Sequence, residues 1–177
     1  IEQRRALEGV LMQEEGADLR FLTFTLGDAF FALNIASVRE ILDLPDITRI
    51  PGAPDYMRGV VNVRGTAVPV MDLRHKFGLG RVEKTLNTRV VIAEITKGDA
   101  TSVVGAMADS VKEVLELEPE AIDPPPAMGA AVRTDYIRGN GTHDGRFILI
   151  LDADKVFTTD EVQDVARIME EAASGAA

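Results

Sequence analysis

Few of the 177 residues are of types and spacings that could do chemistry. Two acids eighty positions apart come nearest: Asp72 closes Val68-Pro-Val-Met-Asp72, and Asp152 closes Ile148-Leu-Ile-Leu-Asp152. Two carboxylates at equivalent places in a duplicated β-rich protein can share a proton and activate water, which is hydrolase chemistry. Their contexts, Asp72-Leu-Arg and Asp152-Ala-Asp, lack the Asp-Thr/Ser-Gly loops such sites normally offer. A strand-end Asp capping the next helical turn accounts for both. Ser37, Ser102, Ser110 and Ser174 lie in no nucleophile-elbow motif, and there is no glycine-rich phosphate loop. The absence of Cys removes thiol nucleophiles and thiolate metal sites, and His75 and His143 are too few for a His-rich one. No enzyme activity, cofactor or metal is expected.

Charge narrows the partners. Twenty-nine acids against 19 bases give −10, which argues against nucleic acid or anionic lipid as the main partner. Aromatic residues are 5% with no Trp, too few for base-stacking platforms. No apolar run approaches the ~20 residues of a membrane span and no signal peptide is visible, so a cytoplasmic location without membrane insertion is expected. The charge is uneven: residues 1–18 carry −3 and residues 158–177 carry −4, which leaves −3 on residues 19–157.

The two ends read as helices. Ala6, Leu7, Val10 and Leu11 fall at helical spacing in an N-terminal amphipathic helix over 1–18. Thr158-Thr-Asp-Glu161 has the form of a capping box before an apolar stripe of Val162, Val165, Ala166, Met169 and Ala173, which predicts a C-terminal helix in 158–177. Between them, strands are predicted at 21–26, 30–35, 57–63, 66–71, 89–95, 102–107, 136–139 and 146–151. Short helical turns are predicted at 37–42, 54–56, 73–77 and 109–115, and Pro124-Pro-Pro126 reads as a stiff connector. Many short strands at close spacing indicate small barrels or a sandwich rather than a βαβ sheet.

An internal repeat organises these strands. Met57–Phe77 lies over Ile137–Phe157 at a shift of eighty with five identities, Arg58/Arg138, Gly59/Gly139, Gly65/Gly145, Asp72/Asp152 and Phe77/Phe157. Upstream, the Gly27-Asp28 and Gly98-Asp99 turns correspond, and Val38-Arg-Glu-Ile-Leu42 resembles Val111-Lys-Glu-Val-Leu115. Halving the 19–157 domain gives units of about 70 residues, enough for one five-stranded barrel each. The fold expected is mainly β, with two barrels sharing a hydrophobic seam. The copies diverge at one loop, where Arg64 stands against Asp144, and divergence on a duplicated scaffold is where function specialises.

Several motifs occur in order: Phe24-Thr-Leu-Gly-Asp28, Val38-Arg-Glu-Ile41, Arg49-Ile-Pro51, Gly59-Val-Val-Asn-Val-Arg-Gly65, Val68-Pro-Val-Met-Asp-Leu-Arg74 and Asp109-Ser-Val-Lys-Glu-Val114. Together they resemble the CheW family of chemotaxis coupling proteins over about residues 20–157. The resemblance implies two five-stranded SH3-like barrels. It also implies a non-enzymatic adaptor joining chemoreceptor cytoplasmic tips to the histidine kinase CheA in cooperative arrays at the inner face of the membrane. The 20 residues after 157 leave no room for a receiver domain, so the coupling protein is expected rather than the related CheV or CheA.

The family's receptor-contacting Arg maps onto Arg64. Gly59 and Gly65 on either side let the chain bend and present the guanidinium, whose fork of donors suits carboxylates or carbonyls on a receptor helix. Glu40 is the expected partner of Arg64. Val38, Ile41 and Val63 are candidates for an apolar groove receiving a helical hairpin, with Val38 partly exposed and Ile41 fitting ordinary core. Gly59 would admit a partner backbone, and Asn62 lies in the same motif. Pro69, without an N–H, predicts an edge or a bulge, and no kinase-contacting residue is assigned. An interaction module for an unrelated helical partner is the other non-enzymatic reading.

Overall fold

A computed structural model describes residues 20–97, 100–124, 136–157 and 167. The predicted end helices, the Gly98-Asp99 turn and most of the proline connector lie outside the described residues. Ten strands account for most of the rest: β1 (Arg20–Leu26), β2 (Ala29–Asn34), β3 (Val38–Asp43), β4 (Met57–Val63), β5 (Thr66–Asp72), β6 (Arg89–Lys97), β7 (Ala100–Ala108), β8 (Ser110–Glu116), β9 (Ile137–His143) and β10 (Arg146–Leu151). One-turn helices follow β5 at Leu73–Lys76 and β10 at Ala153–Val156.

β3 and β8 correct the expected helical turns at 37–42 and 109–115. Their apolar residues recur at three- and four-residue spacing because each strand carries a bulge. Val38 pairs with Ala93 and Glu40 with Ile92, so Arg39 is the extra residue. In β8 the pairing with β1 shifts between Val111 and Val114. A bulge shifts the inward phase by one and turns a period of two into an apparent helical spacing.

The strands form two five-stranded sheets, ordered β8-β1-β2-β10-β9 and β3-β6-β7-β5-β4. Under the repeat, β1 to β5 map onto β6 to β10, and this exchange turns one sheet into the other. The expectation of one barrel per half of the chain is corrected here. Each sheet takes two strands from one half and three from the other, joined by the parallel pairs β2/β10 and β5/β7. No ladder among the described residues joins β3 to β4 or β8 to β9. A single bridge draws each pair of edges together, Thr48 to Val60 in one sheet and Asp123 to Asn140 in the other. Pro69 is not on an edge strand. It precedes Val70, where pairing with β7 begins, so its missing N–H falls outside that parallel ladder.

Burial follows the two faces of each sheet. The largest apolar cluster lies between the sheets, with Leu22, Phe24, Phe31 and Leu151 from one and Met71, Val91, Val104 and Ala106 from the other. This is the expected seam. A second cluster around Val61, Val70, Val90 and Ile92 fills the other face of the β3–β4 sheet. A third around Phe21, Ala32, Ile148 and Ile150 does the same for its counterpart. Strands buried on both faces lose the clean polar–apolar alternation of a one-sided sheet, which is why β1 and β2 read as near-continuous apolar runs. Near the exchange axis the Lys76 ammonium donates to the Val156 carbonyl. It also lies 5.4 Å and 5.5 Å from the ring centres of Tyr56 and Tyr136, themselves repeat equivalents.

No helix among the described residues is long and apolar enough to cross a membrane. No group of three or more metal-ligating side chains is clustered among them.

Candidate partner-binding site at the first hairpin tip

β4 and β5 close in a two-residue turn, Arg64-Gly65, with Val63 opposite Thr66. Both turn residues have positive φ, 51° and 85°, the arrangement whose twist matches that of the flanking strands. Asn62 fixes the turn by accepting the Gly65 N–H on Oδ1 at 2.7 Å. Left-handed backbone costs a residue with a long side chain ~1 kcal/mol, and Asn, Asp or Gly usually occupies such a place. Arg64 sits there nonetheless, at the outermost point of the hairpin, with its side chain 65% exposed.

Glu40 reaches the same tip from β3. Its Oε2 lies 2.9 Å from Arg64 Nη1 and its Oε1 accepts from Nη2 at 3.5 Å, a two-pronged contact. Its side chain is only 7% exposed. A buried carboxylate therefore anchors one side of an exposed guanidinium, and the rest of the fork faces outward. Since Arg64 is mostly solvated, the pair orients the cation more than it stabilises the fold. The expected Glu40–Arg64 partnership is present, from a strand and not from a helical turn.

The apolar groove is not. Val38 is buried in the seam, not partly exposed, because the bulge at Arg39 turns both Val38 and Glu40 inward. Ile41 is core, as expected, and Val63 is half-buried against the cluster inside its own sheet. Gly59 is also accounted for within the chain. Its φ is +143°, and a Cβ there would lie 2.2 Å from the Thr48 carbonyl oxygen. Thr48 and Val60 exchange two backbone hydrogen bonds of 2.8 Å across this point. The close approach that Gly59 permits is made by Thr48 rather than by a partner. Of the six predicted residues, Glu40, Asn62 and Arg64 act together at the tip, while Val38, Gly59 and Val63 support it from within.

The repeat equivalent of this site is built differently. Asp144-Gly145 form the β9–β10 turn with φ of 51° and 75°, the same backbone. Glu113, which corresponds to Glu40, faces His143 at 3.6 Å, and Asp144 lies 3.3 Å from the same imidazole nitrogen. Pairing residues by repeat position missed this contact because Glu113 meets the residue before the turn. An open pocket lies beside it, floored by Phe30, Leu115 and Ile148.

The two acids first considered for hydrolysis are capping groups. Asp72 is fully buried, Oδ1 accepts the His75 N–H at 3.1 Å, and Oδ2 accepts from the Val82 N–H at 3.0 Å and Arg58 Nη1 at 3.1 Å. Asp152 accepts the Asp154 N–H at 3.2 Å; Asp72 ends β5 and Asp152 directly follows β10, which belongs to the other sheet. Asp72 is closed off from solvent with both oxygens engaged in structural hydrogen bonds, so it is not placed to activate water and the hydrolase reading fails.

Comparison with known proteins agrees. A family model described as CheW-like domain matches residues 20–161. The chemotaxis protein CheW of Klebsiella aerogenes is 36% identical over 142 residues, covering 80% of this chain and 83% of that protein. The CheW of Treponema pallidum is 25% identical over 159 residues, covering 90% and 94%. Among solved structures, the crystal structure of the scaffolding protein TtCheW from Thermoanaerobacter tengcongensis superposes with a TM-score of 0.72 at 29% identity, over 81% of this chain and 90% of that one. A seam-sharing pair of five-stranded sheets, a glycine-flanked Arg anchored by a strand Glu and these matches lead to one conclusion: the chain belongs to the CheW-like family of non-enzymatic chemotaxis scaffold proteins.

Proposed function

We propose that this chain couples the cytoplasmic tips of chemoreceptors to the histidine kinase CheA, in the cytoplasm at the inner face of receptor arrays, and that the Arg64 tip is its receptor contact. The observation that carries this reading is the buried Glu40 carboxylate holding an exposed Arg64 on a strained two-residue turn. Backbone strain kept at an exposed cation is the economy of a binding site, since any turn-forming residue would close the hairpin at lower cost. A guanidinium with one edge fixed offers its remaining donors to carboxylates or carbonyls on a receptor helix with little further loss of side-chain freedom. Each sheet, curled by its single bridge, would serve as one of the two SH3-like barrels, leaving surfaces away from the Arg64 tip for the kinase.

The test is reconstitution from purified parts. Receptor tips, CheA and this protein should form a ternary complex that activates the kinase. In that system Arg64→Ala is expected to weaken receptor-tip binding by ~30-fold or more, the scale of an interface hot spot, with kinase binding and Tm close to wild type. No ternary complex would return the protein to the reading of a module for an unrelated helical partner. Equal loss of receptor binding, kinase binding and Tm would make Arg64 a structural residue.

A further inference from the structure

At the foot of β4, six residues before Arg64 and thus ~20 Å of extended chain away, lies a second cationic feature. A cavity of about 350 Å³ opens between the Ile50–Pro54 loop and the start of the strand, lined by Arg49, Arg58, Arg81 and Lys84 with Asp55 as the one acid. Four cations against one acid is the reverse of the chain's overall −10. Arg58 is held in place, since Nη1 donates to Asp72 at 3.1 Å and to the Val82 carbonyl at 3.2 Å. Arg49, Arg81 and Lys84 are exposed and form no ion pair among the described residues. The exposed acids Asp46 and Glu83 are neighbours in sequence but do not line the cavity.

The loop is stiffened by Pro51 and Pro54, so the cations surround a wall whose shape is largely set before any ligand arrives. Arg138, the repeat counterpart of Arg58, lies beside a different cavity, together with Asp152 and Asp154.

We infer that the cavity formed by Arg49, Arg58, Arg81 and Lys84 is a docking site for an acidic protein segment, whose carboxylates are gripped by guanidinium forks. Guanidinium suits carboxylate geometry in two-pronged contacts, and Lys84 adds a point charge at the rim. Three cations without an ion pair among the described residues make the site complementary to several carboxylates, so one carboxylate would leave most of them unused. Nucleic acid is disfavoured as the polyanion, because the remaining surface of a −10 chain repels an extended duplex.

The experiment measures anisotropy of fluorescein-labelled hexaglutamate with the full chain, hexaglutamine serving as control, at low and at physiological ionic strength. Hexaglutamate is expected to bind and hexaglutamine not to, with affinity falling as salt rises. Arg49→Glu/Arg81→Glu should weaken hexaglutamate binding by ~10-fold or more, while Arg138→Glu in the other copy leaves it unchanged. Should the double variant not fold, Lys84→Glu replaces it with an expected loss of ~3-fold. The assignment is overturned if wild type does not bind hexaglutamate, if the charge reversals leave binding intact, or if Arg138→Glu costs as much. It is also overturned if equimolar inorganic phosphate displaces the peptide, which would make this a site for a lone oxyanion.

Discussion

The two hairpin tips, Arg64-Gly65 and Asp144-Gly145, share a backbone and differ in everything that faces outward. Their first residues have the same φ of 51°, so the duplicated scaffold tolerates an Asp and an Arg in one conformation. At the first tip a buried Glu40 holds a cation, and at the second the half-exposed His143 lies between Glu113 and Asp144. The feet of the same strands diverge as well. Asp72 is buried under Arg58 and the Val82 N–H, whereas Asp152 is partly open and makes a cap bond to Asp154. A pseudo-symmetric fold thus gives each surface feature a built-in control: the same backbone with different chemistry.

Three substitution pairs would break or sharpen that contrast. The largest effect is expected at the strand-end acids. Asp72→Ala leaves Arg58 and the Val82 N–H without their partner and should cost about 3–5 kcal/mol, while Asp152→Ala removes one cap and should cost about 1 kcal/mol. Urea denaturation of both variants checks this, and equal losses would erase the asymmetry between the two feet. Next is the glycine pair. Gly59→Ala forces a side chain into the Thr48 carbonyl at positive φ and should cost about 3 kcal/mol. Gly145→Ala meets open space and should cost about 1 kcal/mol, from backbone strain alone. Thermal melts that ranked Gly145 above Gly59 would contradict the close approach of the Thr48 segment.

The smallest change in stability is expected from exchanging the tips. Asp144→Arg adds a cation beside Glu113 and should shift unfolding by less than ~0.5 kcal/mol, with receptor-tip binding unaltered. Arg64→Asp sets an acid against the buried Glu40 and should cost about 1 kcal/mol while abolishing receptor-tip binding. Pull-down on purified receptor tips distinguishes the two. Binding lost equally in both variants would mean that the tips act as one surface.

Strand content was readable in the sequence because short Val- and Ile-rich runs bounded by Gly and Asp have few other solutions. Sheet membership was not. Whether β1 meets β8 or β3 is decided by contacts some ninety residues apart, such as Thr23 Oγ1 donating to the Glu113 carbonyl at 2.7 Å, and no local pattern encodes them. Bulges disguised β3 and β8 as helical turns, and that error carried Val38 to the surface. The Glu40–Arg64 pair was legible through family resemblance, since position alone does not link residues 24 apart. The basic cavity escaped because its cations come from positions 49, 58, 81 and 84 without forming a run. Composition registers only their sum, which the acids exceed.

The exchange of strands between the halves bears on how the chain is made. On the ribosome, β1 and β2 emerge early and form their hairpin, yet the sheet they belong to lacks three of its five strands until β8 emerges and stays incomplete until β10 has left the exit tunnel. β6 and β7 complete the other sheet sooner. The nascent protein therefore passes through a stage with one sheet assembled and the other half of the seam uncovered, a stage at which chaperone capture or strand capture by a neighbouring nascent chain would be most effective.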